Sequence, residues 1–273
     1  MACPAPWKGK TSRMRDALSD LRLALRLADL ADGMSMPVFT AGDFGHSMKP
    51  DATPAIPVEV AIEDGIRWVL ARDRPEDGIL GEEGGQTGDA STCWIVDPID
   101  GTRVFIEGGS AWGTQIALRV DGNLTLGVTS APALGSRWWG ALGEGAWMNN
   151  DQSGMRSLQV SPRGEHERLR WSCHPPLEVT SPEWRRTVNA LRRVGDYVAP
   201  TPHAVLMVIE GRIEVALQSE GAAWDYAAFA AIVQAAGGQF SYLDSSITLA
   251  DTRPALFTNG KAHGLALAAS LSR

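Results

Sequence analysis

"WIVDPIDGTRVFIEGG", residues 94–109, sets two aspartates and a threonine inside an otherwise apolar run. Trp94, Ile95 and Val96 read as the end of a buried strand. Asp97 and Asp100 flank Pro98-Ile99, and Gly101-Thr102 follows at once. As bare geometry this is a turn, because Pro presets φ, Gly tolerates positive φ and Asp caps helices. A second acidic pair changes the reading. Glu82 and Glu83 close another apolar stretch in "ILGEEGG", residues 79–85. Four carboxylates at the ends of two neighbouring strands repel one another, and Arg103 is almost the only cation close in sequence. Such charges cost several kcal/mol unless a cation or a pKa shift relieves them. A hard divalent cation held through oxygen ligands is the natural resolution.

Composition excludes several alternatives. The 273 residues can bury a large core, in one body or two intimately packed lobes. Hydrophobic residues make up 44% and charged residues 21%, as in ordinary globular proteins. A net charge of −7 without a basic tract argues against nucleic acid as a partner. It does not argue against a phosphate-bearing small molecule, because bound metal inverts the local field. Cys3, Cys93 and Cys173 lie far apart and suggest reduced structural thiols rather than zinc ligands. The N-terminus lacks the apolar core of a signal peptide and no run reaches membrane-spanning length, so a cytoplasmic chain with no membrane partner is expected. Trp138, Trp139 and Trp147 sit in apolar contexts and are expected in the core.

Hydrophobic spacing places the elements. Residues 14–34 put Leu18, Leu21, Leu25 and Ala28 on one helical face. Residues 57–73 begin on Pro57, a good first-turn residue, and read as a second helix. Strands and tight turns are expected over 114–150, with a hairpin at Asp121-Gly122. An N-terminal α+β lobe, residues 1–150, then carries the acidic motifs. The polar stretch 151–168 reads as a crossover into a C-terminal α/β lobe, residues 151–273. That lobe has strands at 169–173 and 213–218, and helices at 181–194, 203–211 and 224–238. In the last of these, Asp225 opens an alanine-rich helix as a cap. A capping carboxylate can also reach a metal, with backbone N–H groups beside it for phosphate.

"GEEGG", "WIVDPIDGTRVF" and "WDYAAFAAIVQAAGG", in this order and at these separations, resemble the inositol monophosphatase superfamily of metal-dependent phosphomonoesterases. The segments "FIEGGSAWGTQIAL" and "GVTSAPALGSRWWGALGEGAW" are most similar to its histidinol-phosphate phosphatase branch. The haloacid dehalogenase type, by contrast, carries D-x-D with one intervening residue. The resemblance implies a layered αβαβα sandwich with the site between the lobes, and two or three Mg²⁺ ions. Glu82, Asp97 and the carbonyl of Ile99 would hold one ion. Asp97, Asp100 and Asp225 would hold a second, with Asp97 bridging. Gly101 and Thr102 amides would cradle phosphate, and the Thr102 hydroxyl would help orient the attacking water. Phosphate-ester hydrolysis needs an activated water, neutralised phosphoryl oxygens and a stabilised leaving alkoxide, and paired metals supply all three. A small phosphorylated alcohol is the implied partner, histidinol phosphate or a polyol phosphate, and a homodimer the implied assembly.

Two departures from the family pattern stand out. "KPDATPAIPVEVAIED" (49–64) keeps Lys49, Asp51 and Pro54, but has Ile56 for a hydroxyl residue and Glu59 for an aspartate that positions the water. Either the water-activating side is impaired, or the helix carrying Glu59 has shifted to absorb the extra methylene. The second departure is Gln218, with Glu220 close by, where relatives carry a glutamate on the substrate's hydroxyls or amine. A neutral amide attracts a cationic amino alcohol less. Arg103 meets either Glu107 or the substrate, and His203 lies in an altered substrate loop. A non-catalytic relative that binds a phosphorylated metabolite or protein is the competing reading.

Overall fold

The computed structural model describes residues 16–45, 47–48, 54–164, 166–178, 184–243 and 253–271. Helix α1 (Ala17–Ala41) starts on Asp16, whose side chain accepts the Leu18 N–H, and stops at Gly42 in the left-handed region. It runs seven residues beyond the expected end at residue 34. Pro37 removes one backbone donor, yet Pro37 and Gly33, four residues back, are both exposed, so water can serve the freed carbonyl. The extension is held by Phe39, whose ring packs on Phe105 and Trp112 at centroid distances of 5.4 and 5.2 Å. Tertiary packing outweighs the local penalty. A short pair, β1 (Ser47–Met48) and β2 (Pro54–Ala55), leads into α2 (Pro57–Asp73), which matches its expected range.

The first sheet contains β3 (Gly78–Gly81), β4 (Gly85–Thr87), β5 (Thr92–Asp100), β6 (Gly113–Val120), β7 (Asn123–Ala131), β8 (Ser136–Ala141), β9 (Gly145–Asn150) and β10 (Gly154–Leu158). Its order is β10-β9-β8-β7-β6-β5-β3-β4. Helix α3 (Thr102–Ile106) leaves the end of β5. The β6–β7 hairpin turns on Asp121 and Gly122, both at positive φ (49° and 83°), as a two-residue primed turn requires. The segment expected as a crossover begins instead with β10, which pairs with β9 and carries the first sheet on to Leu158. Trp138 is buried, whereas Trp147 remains 36% exposed rather than in the core.

The second sheet, of order β12-β11-β13-β15-β14, contains β11 (Leu169–His174), β12 (Gly195–Tyr197), β13 (Val215–Gln218), β14 (Gln239–Tyr242) and β15 (Ala255–Thr258). Helices α1 and α2 cover the outer face of the first sheet. Helices α5 (Ala204–Ile209) and α6 (Ala223–Ala235) lie between the sheets, and α6 touches both. Helices α4 (Arg185–Val194) and α7 (His263–Leu271) pack together on the far side of the second sheet. The result is the layered αβαβα sandwich. Its middle layer has to be apolar on both sides, which explains why α6 is nearly all Ala, Ile, Val, Phe and Tyr with few exposed positions.

The approach of α6 to the first sheet leaves no space at Gly127 in β7. A Cβ there would stand 2.3 Å from the Ala228 carbonyl oxygen, so the glycine is a packing requirement. Gly127→Ala is expected to cost about 1–3 kcal/mol of overpacking strain. Denaturant unfolding measures it, and an unchanged midpoint would refute the close contact.

Candidate active site

Strands β3 and β5 run parallel with Gly81 opposite Val96, so their C-terminal ends deliver Glu82 and Asp97 side by side. The turn after β3 is clamped from below by Glu63 of α2. Its carboxylate accepts the N–H groups of Glu83 (2.9 Å) and Gly84 (2.8 Å) and pairs with Arg67 one turn on (2.8 Å). A Cβ on Gly81 would fall 2.3 Å from the Glu63 carboxyl carbon. The glycine before the two glutamates therefore makes room for the group that orients them.

Along β5, Trp94 and Val96 join the core under α1 and α2, whereas Cys93 and Ile95 join the cluster under α6. Alternation puts Asp97 on the α6 side. It is 1% exposed, and its Oδ1 accepts the Ile99 N–H at 3.0 Å. The β5–β6 register shifts between Asp97 and Asp100, a bulge that re-aims the second aspartate. Asp100 accepts the Gln115 amide (3.1 Å), and Gln115 is in turn fixed by the Thr129 hydroxyl (2.7 Å). Asp225 sits in the first turn of α6, where it accepts the Ala222 N–H at 2.6 Å. One oxygen each from Asp97, Asp100 and Asp225 falls within 4.8 Å of the others. Burial and the neighbouring Glu82, Asp100 and Asp225 charges push Asp97 well above the usual carboxylate range. Burial raises Asp100 against the opposing influence of His174. Asp225 is pushed up to about 7, by burial first and then by Asp100. An all-oxygen set whose members resist ionising together fits a hard divalent cation.

Glu59 enters from the first turn of α2, fully buried. One carboxylate oxygen accepts the Ile56 N–H (3.0 Å), and the other lies 2.5 Å from the Thr102 hydroxyl, which also stands 3.2 Å from the Ile99 carbonyl. The added methylene has not lost the contact. Burial raises Glu59 to about 7, with Glu82 and Glu83 adding to the rise and the Thr102 and Ile56 bonds opposing it. Ile56 has no hydroxyl to give, and its side chain is buried in the α1/α2 core.

Gly101 takes a φ of 87° and caps α3, with Thr102 as its first residue. On the second sheet, Trp171, Cys173 and Leu217 face outward. Ser172, His174 and Gln218 therefore face the middle layer, His174 and Gln218 as register partners. Gln218 is 6% exposed, and its Oε1 has no hydrogen-bond partner among the described residues. The His203 Nδ1 accepts the Val205 N–H at 3.3 Å, which leaves the neutral ring's proton on Nε2. That ring stacks on Phe229 at 4.9 Å and meets His174 at 4.6 Å, and burial holds it well below the usual imidazole range. Glu220 and Arg103 are exposed, and no ion pair joins Arg103 to Glu107. Asp51, with Lys49, lies outside the described residues.

Sequence reasoning missed Glu63, Gln115 and His174. Glu63 carried a signal, lying one helical turn after Glu59 and one before Arg67. Gln115 and His174 carried none, because only strand register brings them to the acidic cluster.

Asp225 and Glu59 titrate near 7 in the fold but near 4 when unfolded. Without a cation the folded protein holds the extra protons, so its stability falls as pH rises from about 4 to about 7. A cation must displace those protons. The rise in Tm on adding Mg²⁺ is therefore expected to be larger at about pH 8 than at about pH 5. Calorimetry at both pH values checks this, and equal increments would detach the cluster from metal.

Comparison with known proteins agrees with this geometry. The model of the inositol monophosphatase family matches residues 41–272. A histidinol-phosphatase of Mycobacterium tuberculosis is 39% identical over 252 residues, covering 89% of this chain and 95% of that one. The extragenic suppressor protein suhB of Bartonella henselae superposes with a TM-score of 0.78 at 22% identity, over 93% of this chain and 99% of that one. An IMPase/NADP phosphatase complexed with Mg²⁺ and phosphate superposes at 0.74 and 18% identity, over 95% and 97%. With its three acidic segments converging as the fold requires, the chain belongs to the inositol monophosphatase family and is a phosphatase.

Proposed function

We infer that the chain hydrolyses a small phosphorylated alcohol with Mg²⁺, histidinol phosphate being the leading substrate. The observation that carries this reading is the convergence of Asp97, Asp100 and Asp225 oxygens within 4.8 Å at the meeting of β5 and α6. Asp97, Asp100 and Asp225 would hold one ion, and Glu82, Asp97 and the Ile99 carbonyl another. Bound Mg²⁺ neutralises phosphoryl oxygens and lowers the pKa of a coordinated water. The chain's own groups do the rest. Amides of Gly101 and Thr102 at the start of α3 receive the phosphate, with Arg103 at the rim. Glu59 and the Thr102 hydroxyl form a proton-holding pair beside the phosphate turn. Gln218 faces the leaving group and Glu220 lies further out. A homodimer is the assembly expected by family analogy, and the buried free thiols of Cys93 and Cys173 fit a reducing cytoplasm.

Three results test this. Turnover of phosphate monoesters is expected to need Mg²⁺, and Asp97→Asn to cut kcat about a thousandfold or more with the fold retained. Full activity in excess EDTA would overturn the metal assignment, whereas no turnover of any monoester with Mg²⁺ present would favour the non-catalytic reading. Glu59→Asp withdraws the carboxylate from Thr102 by about 1 Å and is expected to lower kcat about ten- to a hundredfold with little change in KM. A rise in kcat would instead mean that Glu59 is the impaired form. Finally, Gln218→Glu is expected to shift preference toward the amine-bearing histidinol phosphate over a neutral polyol phosphate by about 1–3 kcal/mol. An unchanged kcat/KM ratio would remove Gln218 from the substrate pocket.

A further inference from the structure

A cavity of about 270 Å³ whose lining holds none of the clustered carboxylates opens at the seam between the first sheet, α6 and the second sheet. Its floor is Ile95 of β5 with Ala223 and Ala227 of α6, and its walls are Leu124 beside the β6–β7 turn and the rings of Phe240 and Tyr242 on β14. Arg119 of β6 joins the lining together with the neutral amides of Asn123 and Gln234, and no carboxylate belongs to it.

The position of Arg119 follows from the fold. Leu118 packs under α1 and α2, so alternation sends Arg119 to the α6 side, and the β6–β7 register shifts between these two residues. One terminal nitrogen makes a long 3.4 Å bond to the Ala90 carbonyl. The Nε is buried and has no acceptor among the described residues. Among the described residues no carboxylate pairs with Arg119. The guanidinium is half-buried with no carboxylate against it, so an anion entering the cavity would meet its terminal nitrogens. The Arg253 guanidinium stacks 4.1 Å from the Tyr242 ring centre, so the aromatic wall is itself under positive charge.

We propose that this cavity is a second small-molecule site, which takes a carboxylate carried on a flat apolar body. A planar guanidinium nitrogen matches a carboxylate oxygen, and the aromatic and alkyl walls match an apolar ring. A strongly hydrated phosphate would need several charged donors, whereas this cavity offers one guanidinium beside the neutral Asn123 and Gln234 amides. The volume is below the roughly 300–1,000 Å³ usual for drug-sized ligands, so the occupant is of single-ring size. None of Asp97, Asp100, Asp225 or Glu82 lines the cavity, though Ile95, Ala223 and Ala227 stand two residues from Asp97 and Asp225.

The test is a fluorine-detected NMR titration of 4-fluorobenzoate into the full-length protein with Mg²⁺ present. Saturable binding is expected, weakened about tenfold or more by Arg119→Gln and for the neutral 4-fluorobenzyl alcohol. Asn123→Trp, which plugs the cavity from its exposed rim, is expected to abolish binding and supplies the second arm if Arg119→Gln fails to fold. Asp97→Asn is expected to leave binding unchanged. Absence of saturable binding, equal affinity in Arg119→Gln or Asn123→Trp, or loss of binding in Asp97→Asn would each overturn the proposal. The last outcome would place the probe on the catalytic metals. Phosphate-ester turnover in the Arg119 variant tests the phosphatase reading separately.

Discussion

Mutual repulsion among buried carboxylates is the constraint around which this molecule is built. At about 4 Å and an effective dielectric near 20, each like-charged pair costs about 4 kcal/mol. Three such pairs among Asp97, Asp100 and Asp225 would rival the whole net stability of a domain, about 5–15 kcal/mol. The cluster therefore exists either protonated or with a cation, and the upward pKa shifts express the first alternative. Each carboxylate is also held in place by a group that is not its rival. Asp97 has the Ile99 amide, Asp100 has Gln115 and Asp225 has the Ala222 amide. These bonds fix where the oxygens point before any ligand arrives, which is how a site avoids reorganisation when charge enters it.

Helix α6 makes the convergence possible. Asp97 and Asp100 come from a strand end, whereas Asp225 lies far along the chain. The helix that carries Asp225 packs on β5, β6 and β7 of the first sheet and on β14 and β15 of the second. Its small apolar residues and Gly127 opposite let it sit close, so the start of the helix reaches the end of β5. Packing and the gathering of these carboxylates are thus one problem. A bulkier helix would move Asp225 away from its partners.

The Glu59–Thr102 contact shows how a local departure is absorbed. Glutamate places its carboxyl group further from the backbone than aspartate does. Here one oxygen folds back onto the Ile56 N–H at the head of α2 while the other reaches Thr102. The bidentate arrangement uses the longer side chain, and Ile56 turns its own side chain into the core instead of toward the site. A substitution that reads as damage along the chain is compatible with an intact pair once both ends of the carboxylate are considered.

What the chain determined on its own was local and chemical. Acidic residues after apolar runs, a proline at the head of α2, a glycine at the turn into α3 and an alanine-rich helix opened by aspartate were legible because each rests on spacing of a few residues. Their order also carried the family and hence the layered fold. Other features were settled only by tertiary structure. The persistence of α1 through Pro37 depends on aromatic packing from β5's neighbours, and the pairing of β10 depends on an adjacent strand. The Gln115 and Thr129 support for Asp100, and the placing of His174 beside Gln218, depend on register between strands. Arg119 projects into an apolar seam because a sheet face and a register shift direct it there. No window of sequence contains such information, because a strand's facing residue is chosen by its partner and not by its neighbours in the chain.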